Sequence, residues 1–249
     1  MSAPRPAASS EPRADGEPAL PRRVRTDLDQ TVGAYWRDRL AQHTGDWYAG
    51  LRLQKLPEDL RVYEHLLWAA PPDAVIELGS HRGGSTLWFR DRLVSLARYR
   101  PHLRPQVLAV GLDTGPAREG VALRDPDFAD TITFVDGDVL DPELPGRVGS
   151  LLPAGASCLV IEDTAHAYAT TSSALQGFSR FVGPGGFFVV EDGVVDTPGL
   201  QGPGMGDGGV LDAVRDWLGT VQGADFALRR DLELYGVSSS PGGWLQRRT

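Results

Sequence analysis

The stretch "AVIELGSHRGGST", residues 74–86, decides the fold. Its first half is a short apolar run, read as a buried strand over 74–79. Its second half is a glycine-rich turn, and "STLWFRDRLVSLA" (85–97) continues from it as a helix. Related strands recur downstream at "VLAVGLD" (107–113), "ITFVDGD" (132–138), "SCLVIED" (157–163) and "GFFVVED" (186–192), with a helical segment over 168–182 before the last. Alternation of this kind predicts an α/β fold, a Rossmann-like, doubly wound, mostly parallel sheet with helices on both faces.

On the N-terminal side, a helix is expected around 28–43, with Val32, Tyr35, Trp36 and Leu40 on one face. A second begins near Pro57, with Glu58 and Asp59 in its first turn, where the helix dipole favours acids. Leu60, Tyr63, Leu67 and Trp68 form its apolar stripe, and Pro71 and Pro72 end it. After 210, "VLDAVRDWLGTV" reads as a helix, and "FALRRDLELYG" and "GGWLQRR" as antiparallel C-terminal strands. Residues 1–25 are too rich in proline and alanine to form a core and read as a disordered tail. The remainder, 26–249, reads as a single domain with a helical part over 26–72 and a Rossmann-like core over 73–249.

Composition narrows the function classes. The net charge is −8, so the chain lacks the positive field that nucleic-acid binding needs. No apolar run approaches the roughly 18–20 residues of a membrane helix. The lone Cys158 excludes an intramolecular disulfide framework, and no signal peptide is visible, so a cytoplasmic location is expected. A homo-oligomer is left open. Lys55 is the only lysine; the other basic residues are arginine.

In a doubly wound sheet, ligands sit beyond the carboxyl ends of the strands. The first turn offers Glu77, Gly79 and Ser85, with glycines that permit a tight turn or a close ligand approach. It is not G-x-G-x-x-G, and the Lys-Ser/Thr of a P-loop is missing, which disfavours a nicotinamide dehydrogenase and a phosphate cradle. Asp113, ending the second strand, is placed to accept from ribose hydroxyls, and Asp138 lies near where an adenine would rest. Together these favour an adenosine-containing cofactor. The fourth and fifth strands end in Glu162-Asp163 and Glu191-Asp192. Carboxylates about 4 Å apart repel by roughly 4 kcal/mol per pair at an effective dielectric near 20. Asp163, Glu191 and Asp192 at one rim therefore need a cation, a shared proton or an arginine. Oxygen ligands of this kind suit Mg²⁺ or Ca²⁺ rather than zinc. Glu162 points to the opposite face if the strand persists. The histidines offer no 2-His-1-carboxylate set, so an oxygenase is disfavoured.

Several segments in one order resemble the cephalosporin hydroxylase family, which includes rhamnosyl O-methyltransferases and has the class I S-adenosylmethionine (SAM) methyltransferase fold. They are "KLPEDLRVY" (55–63), "ELGSHRGGS" (77–85), "DTAH" (163–166), "VED" (190–192), "GPGMGDGGVLDAV" (202–214) and "GGWLQRR" (242–248). The likeness runs from about residue 45 to the end. "HTGDWYAGLRL" and residues 114–127 depart from it, which leaves the substrate open. The resemblance implies SAM over the first turn, a divalent metal such as Mg²⁺ on Asp163, Glu191 and Asp192, and a small-molecule acceptor such as a glycoside or other natural product. His166 takes the place of the lysine base of catechol-type methyltransferases, which makes His166 and Asp163 the expected catalytic pair. An alcohol and an imidazole differ by roughly nine pKa units, on the order of 12 kcal/mol, so a histidine base needs a cation beside it and transfer concerted with methylation. The implied activity is O-methylation of a sugar or other antibiotic-type secondary metabolite. N-methylation on the same fold, or a SAM-binding accessory to an oxygenase, are the alternatives.

Overall fold

A computed structural model describes residues 29–201 and 206–249. The expected tail and the centre of the glycine-rich segment, 202–205, lie outside the described residues. The chain begins with α1 (Val32–His43), a two-stranded hairpin of β1 (Trp47–Tyr48) and β2 (Leu51–Arg52), and α2 (Pro57–Ala69). The alternating core follows as β3 (Ala74–Leu78), α3 (Gly84–Ala97), β4 (Val107–Gly111), α4 (Gly115–Ala122), β5 (Ile132–Asp136), α5 (Leu144–Gly149), β6 (Cys158–Glu162), α6 (Tyr168–Phe178) and β7 (Phe187–Val190). The chain closes with α7 (Val210–Leu218), β8 (Phe226–Leu228) and β9 (Trp244–Arg247).

The main sheet has seven strands in the order β5-β4-β3-β6-β7-β9-β8. Strands β3 to β7 run parallel; β9 inserts antiparallel between β7 and β8. The expected antiparallel C-terminal pair is therefore present, but it extends the main sheet, and its last strand lies inside it. Strand order reverses at β3, between β4 and β6, and that switch point is where a crevice opens.

Side-chain alternation divides the core. Ile76, Leu78, Leu108, Val160 and Phe188 pack on one face with Leu175, Phe178 and Trp217 of α6 and α7. Val75, Val107, Ile161 and Val189 pack on the other with Tyr63 and Leu67 of α2 and Phe89 and Leu93 of α3. Two expected stripes need correction. In α1, Val32 is exposed and Leu40 carries the burial; in α2, Val62 and Leu66 are buried, while Trp68 turns outward against Tyr99. Aromatic size misled the reading there, since an outer tryptophan can cover a neighbouring ring and an arginine instead of the core.

Strands β4 and β7 stop before their terminal acids, and β5 and β6 each end on an acid, Asp136 and Glu162, with a second acid beyond. Asp113, Asp138, Asp163 and Asp192 thus stand on loops beyond the carboxyl ends. Among the described residues no helix is long and apolar enough to cross a membrane.

Candidate active site

A cavity of about 770 Å³ opens over those strand ends. Gly79, Ser80 and Ser85 line it from the first turn, Asp113 and Asp138 from the loops after β4 and β5, and Asp163, His166 and Asp192 from those after β6 and β7. The opposite wall is His43, Arg52 and Gln54, from the segment before α2. The hairpin that carries Arg52 had no sequence signal, because strands of two residues are too short for alternation to register.

The first turn is glycine-rich for an internal reason. At Gly79, with φ +106°, a Cβ would lie 1.8 Å from the carbonyl oxygen of Asp163; at Gly84 it would lie 2.0 Å from that of Arg52. These glycines admit the end of β6 and the hairpin, where the sequence had suggested a tight turn or ligand approach. Four non-glycine residues on the cavity wall also hold left-handed backbone: Gln54 (φ 53°), His81 (φ 36°), His166 (φ 51°) and Asp192 (φ 56°). Such conformations cost about 1–3 kcal/mol each and gather where function demands them.

At the end expected to hold the nucleoside, Asp113 accepts from Gly115 N at 2.9 Å and Asp138 from Leu140 N at 2.9 Å, so each stabilises its own turn while facing the cavity. Asp136 ties the loops together instead, accepting from Thr114 N at 2.8 Å and Thr114 Oγ1 at 2.6 Å. Glu77 requires a correction. It is fully buried, accepts from the Thr86 hydroxyl, and lies beneath the turn instead of lining the cavity. Strand alternation sends Leu78 toward the cavity and its neighbour Glu77 to the opposite face, against Thr86 of α3.

At the other end, Asp163, His166 and Asp192 bring one ligand atom each to within 4.8 Å of one another. His166 Nδ1 is 3.2 Å from Asp192 Oδ2. Burial and then Asp163 push the Asp192 carboxyl up to about 7. Burial also opposes the Asp163 charge, but Lys55 and then His166 outweigh it and hold that carboxyl below its ordinary range. Two carboxylates and an imidazole, partly open to a cavity, suit a hard or borderline divalent ion.

Glu191 stands beside the other two acids, as expected, but its carboxylate oxygens are taken up by protein donors. Strands β6 and β7 pair Glu162 with Val190, so the two acid pairs are offset by one residue and Glu191 N donates to Glu162 O. The side chain of Glu191 is buried, accepting from Lys55 Nζ at 2.5 Å and from Tyr63 OH at 2.5 Å. Asp192, in left-handed backbone, lies with Oδ2 against His166. Glu162 faces the other side, bonded to Thr164 and Thr171.

Sequence reading passed over Lys55 and Tyr63 as site residues. Asp59 and Tyr63 are four apart on α2 and share a face, whereas Lys55 lies just before the helix and carried only the signal of being the chain's one lysine. Lys55 Nζ also donates to Asp163 Oδ2 at 3.0 Å. Asp59 is more than a first-turn acid: it accepts from Ser238 Oγ at 2.6 Å and from Ser239 N and Oγ at 2.8 Å each, anchoring the segment that leads into β9.

Comparison with known proteins agrees with this architecture. A family model described as rhamnosyl O-methyltransferase/CmcI matches residues 41–248. A rhamnosyl O-methyltransferase of Mycobacterium tuberculosis is 26% identical over 202 residues, covering 80% of this chain and 77% of the relative. The structure of CmcI without ligand superposes with a TM-score of 0.57 at 22% identity, covering 94% of each chain. CmcI with Mg and SAM gives 0.57 at 21%, again over 94% of each. With a family model spanning most of its length and the class I sheet order, this chain belongs to the rhamnosyl O-methyltransferase/CmcI family of SAM-dependent methyltransferases.

Proposed function

We propose that the protein is an O-methyltransferase that moves the methyl group of SAM to a hydroxyl of a sugar or other secondary-metabolite small molecule, assisted by a divalent cation such as Mg²⁺. One observation carries the reading: a single cavity joins the acids that suit an adenosine, Asp113 and Asp138, to the Asp163–His166–Asp192 group. The likeness to a mycobacterial rhamnosyl O-methyltransferase and to CmcI bound to Mg and SAM supports the hydroxyl acceptor and the two ligands.

When bound, SAM supplies an electrophilic methyl on a sulfonium, and the cation supplies Lewis acidity that lowers the pKa of the acceptor hydroxyl. The chain's residues supply the rest. Asp113 would accept from the ribose hydroxyls, with Asp138 beside the adenine. Gly79 and Ser85 would contact SAM over the first turn, and Glu77 supports that turn from beneath. Asp163 and Asp192 would hold the cation. Asp192 also orients the His166 ring through Nδ1, leaving Nε2 to take the acceptor proton as the new O–C bond forms. The imidazolium that results faces the Asp192 carboxylate.

The test is mass spectrometry of candidate glycosides incubated with the protein, SAM and Mg²⁺. The expected product gains one methyl on oxygen and is lost with EDTA. Methylation of amines alone would replace this reading with N-methylation.

A further inference from the structure

The only lysine of a chain whose other basic residues are all arginine is 2% exposed and bridges two acids. Gln54, in left-handed backbone, turns the chain inward just before it. A compact ammonium on a flexible stem fits between the buried Glu191 carboxylate and the half-buried Asp163 carboxylate, where a planar guanidinium demands more room. Lys55 is not the reaction's base, since it donates to both Asp163 and Glu191.

We propose that Lys55 is a built-in counter-charge of the acid cluster, a positioning residue that lowers the cluster's negative charge and so favours a divalent ion over a trivalent one. Its ammonium bonds Asp163 Oδ2 and Glu191 Oε2 directly and offsets one unit of their negative charge. Asp163 bonds Lys55 Nζ at 3.0 Å and belongs to the group whose ligand atoms lie within 4.8 Å of one another. The ammonium therefore acts on the ion at a range of about 8 Å or less, where one unit of charge is still felt across a partly buried medium.

This inference rests on the metal-assisted reading above, and its test separates the two. Mn²⁺ affinity is measured by electron paramagnetic resonance and Tb³⁺ affinity by luminescence, at pH 8, with SAM binding by calorimetry as the check on folding. Lys55→Met, neutral and of similar length, should keep SAM affinity and raise the Tb³⁺/Mn²⁺ preference by about tenfold or more. Lys55→Arg should keep the wild-type preference even where both ions bind more weakly. If Lys55→Met fails to fold, two further variants decide. The double variant Lys55→Met with Glu191→Gln removes opposite charges together and should restore the wild-type preference. Glu191→Gln alone should move it toward Mn²⁺. A merely structural lysine would weaken both ions in equal proportion, and that result, or an unchanged ratio in Lys55→Met, overturns the proposal. Wild-type protein that binds SAM but no Mn²⁺ would overturn the metal reading itself, and this one with it.

Discussion

Nδ1 of His166 lies 3.2 Å from Oδ2 of Asp192, and both residues hold left-handed backbone. A carboxylate that orients an imidazole through one nitrogen leaves the other for proton transfer, which is the arrangement a general base requires. His166→Ala should therefore lower the turnover rate by roughly a hundredfold or more. SAM affinity should stay near the wild-type value, because the proposed adenosine contacts, Asp113 and Asp138, lie elsewhere on the cavity wall. Single-turnover kinetics beside calorimetry checks this. An equal loss of SAM binding would mean that His166 shapes the cavity instead of moving a proton.

Metal binding should be coupled to protons. In the free site Asp192 holds its proton up to about pH 7, through burial first and Asp163 second. A cation must displace that proton, so apparent Mg²⁺ affinity should fall as pH falls through 7. Calorimetry in buffers of different ionisation enthalpy should detect proton release below that pH. Pretreatment with EDTA should abolish turnover while SAM still binds, and full activity in chelator would assign the acids to structure.

Asp113 lines the cavity at the end of the loop after β4. Asp113→Ala should weaken SAM by about 2–3 kcal/mol, the worth of a charge-assisted hydrogen bond, with smaller effects on metal affinity. Unchanged SAM affinity would place the ribose elsewhere.

Gly79→Ala forces a Cβ to within 1.8 Å of the Asp163 carbonyl oxygen at φ +106°. Stability should fall by about 3 kcal/mol or more, with Asp163 displaced along with the end of β6. Denaturant titration measures the first effect and Mn²⁺ affinity the second.

Asp59 supplies a stability prediction with a definite sign. Burial raises its carboxyl from 3.8 to about 6, with the Ser238 and Ser239 donors opposing. Between these values the folded protein holds a proton that the unfolded chain has released, so stability falls as pH rises through the window. The contribution is on the order of 2–3 kcal/mol. Asp59→Asn should flatten that slope relative to wild type, whereas Asp59→Ala should destabilise at every pH by leaving the serine donors unpaired. Parallel melts of wild type and both variants from pH 4 to 7 decide it.

From the residues alone, the alternating strands, the helices between them and the acids at their ends were legible, because period and punctuation are local properties of the chain. The "KLPEDLRVY" and "DTAH" segments pointed to the family for the same reason, being fixed spacings that survive without coordinates. The partners of those acids were not legible. Whether Asp163 meets Asp192 or Glu191 depends on the one-residue offset between β6 and β7 and on the left-handed turn at Asp192. Glu77 reads as a site residue because the next turn faces a ligand, yet strand alternation points its side chain beneath that turn. Lys55 stands 108 residues from Asp163 and 136 from Glu191 in sequence, and only the packing of the segment leading into α2 against the strand ends unites them. Sequence determined which charges the strand ends carry; packing decided which of them face the cavity and which face a buried ammonium, because long-range contacts follow from register and helix docking.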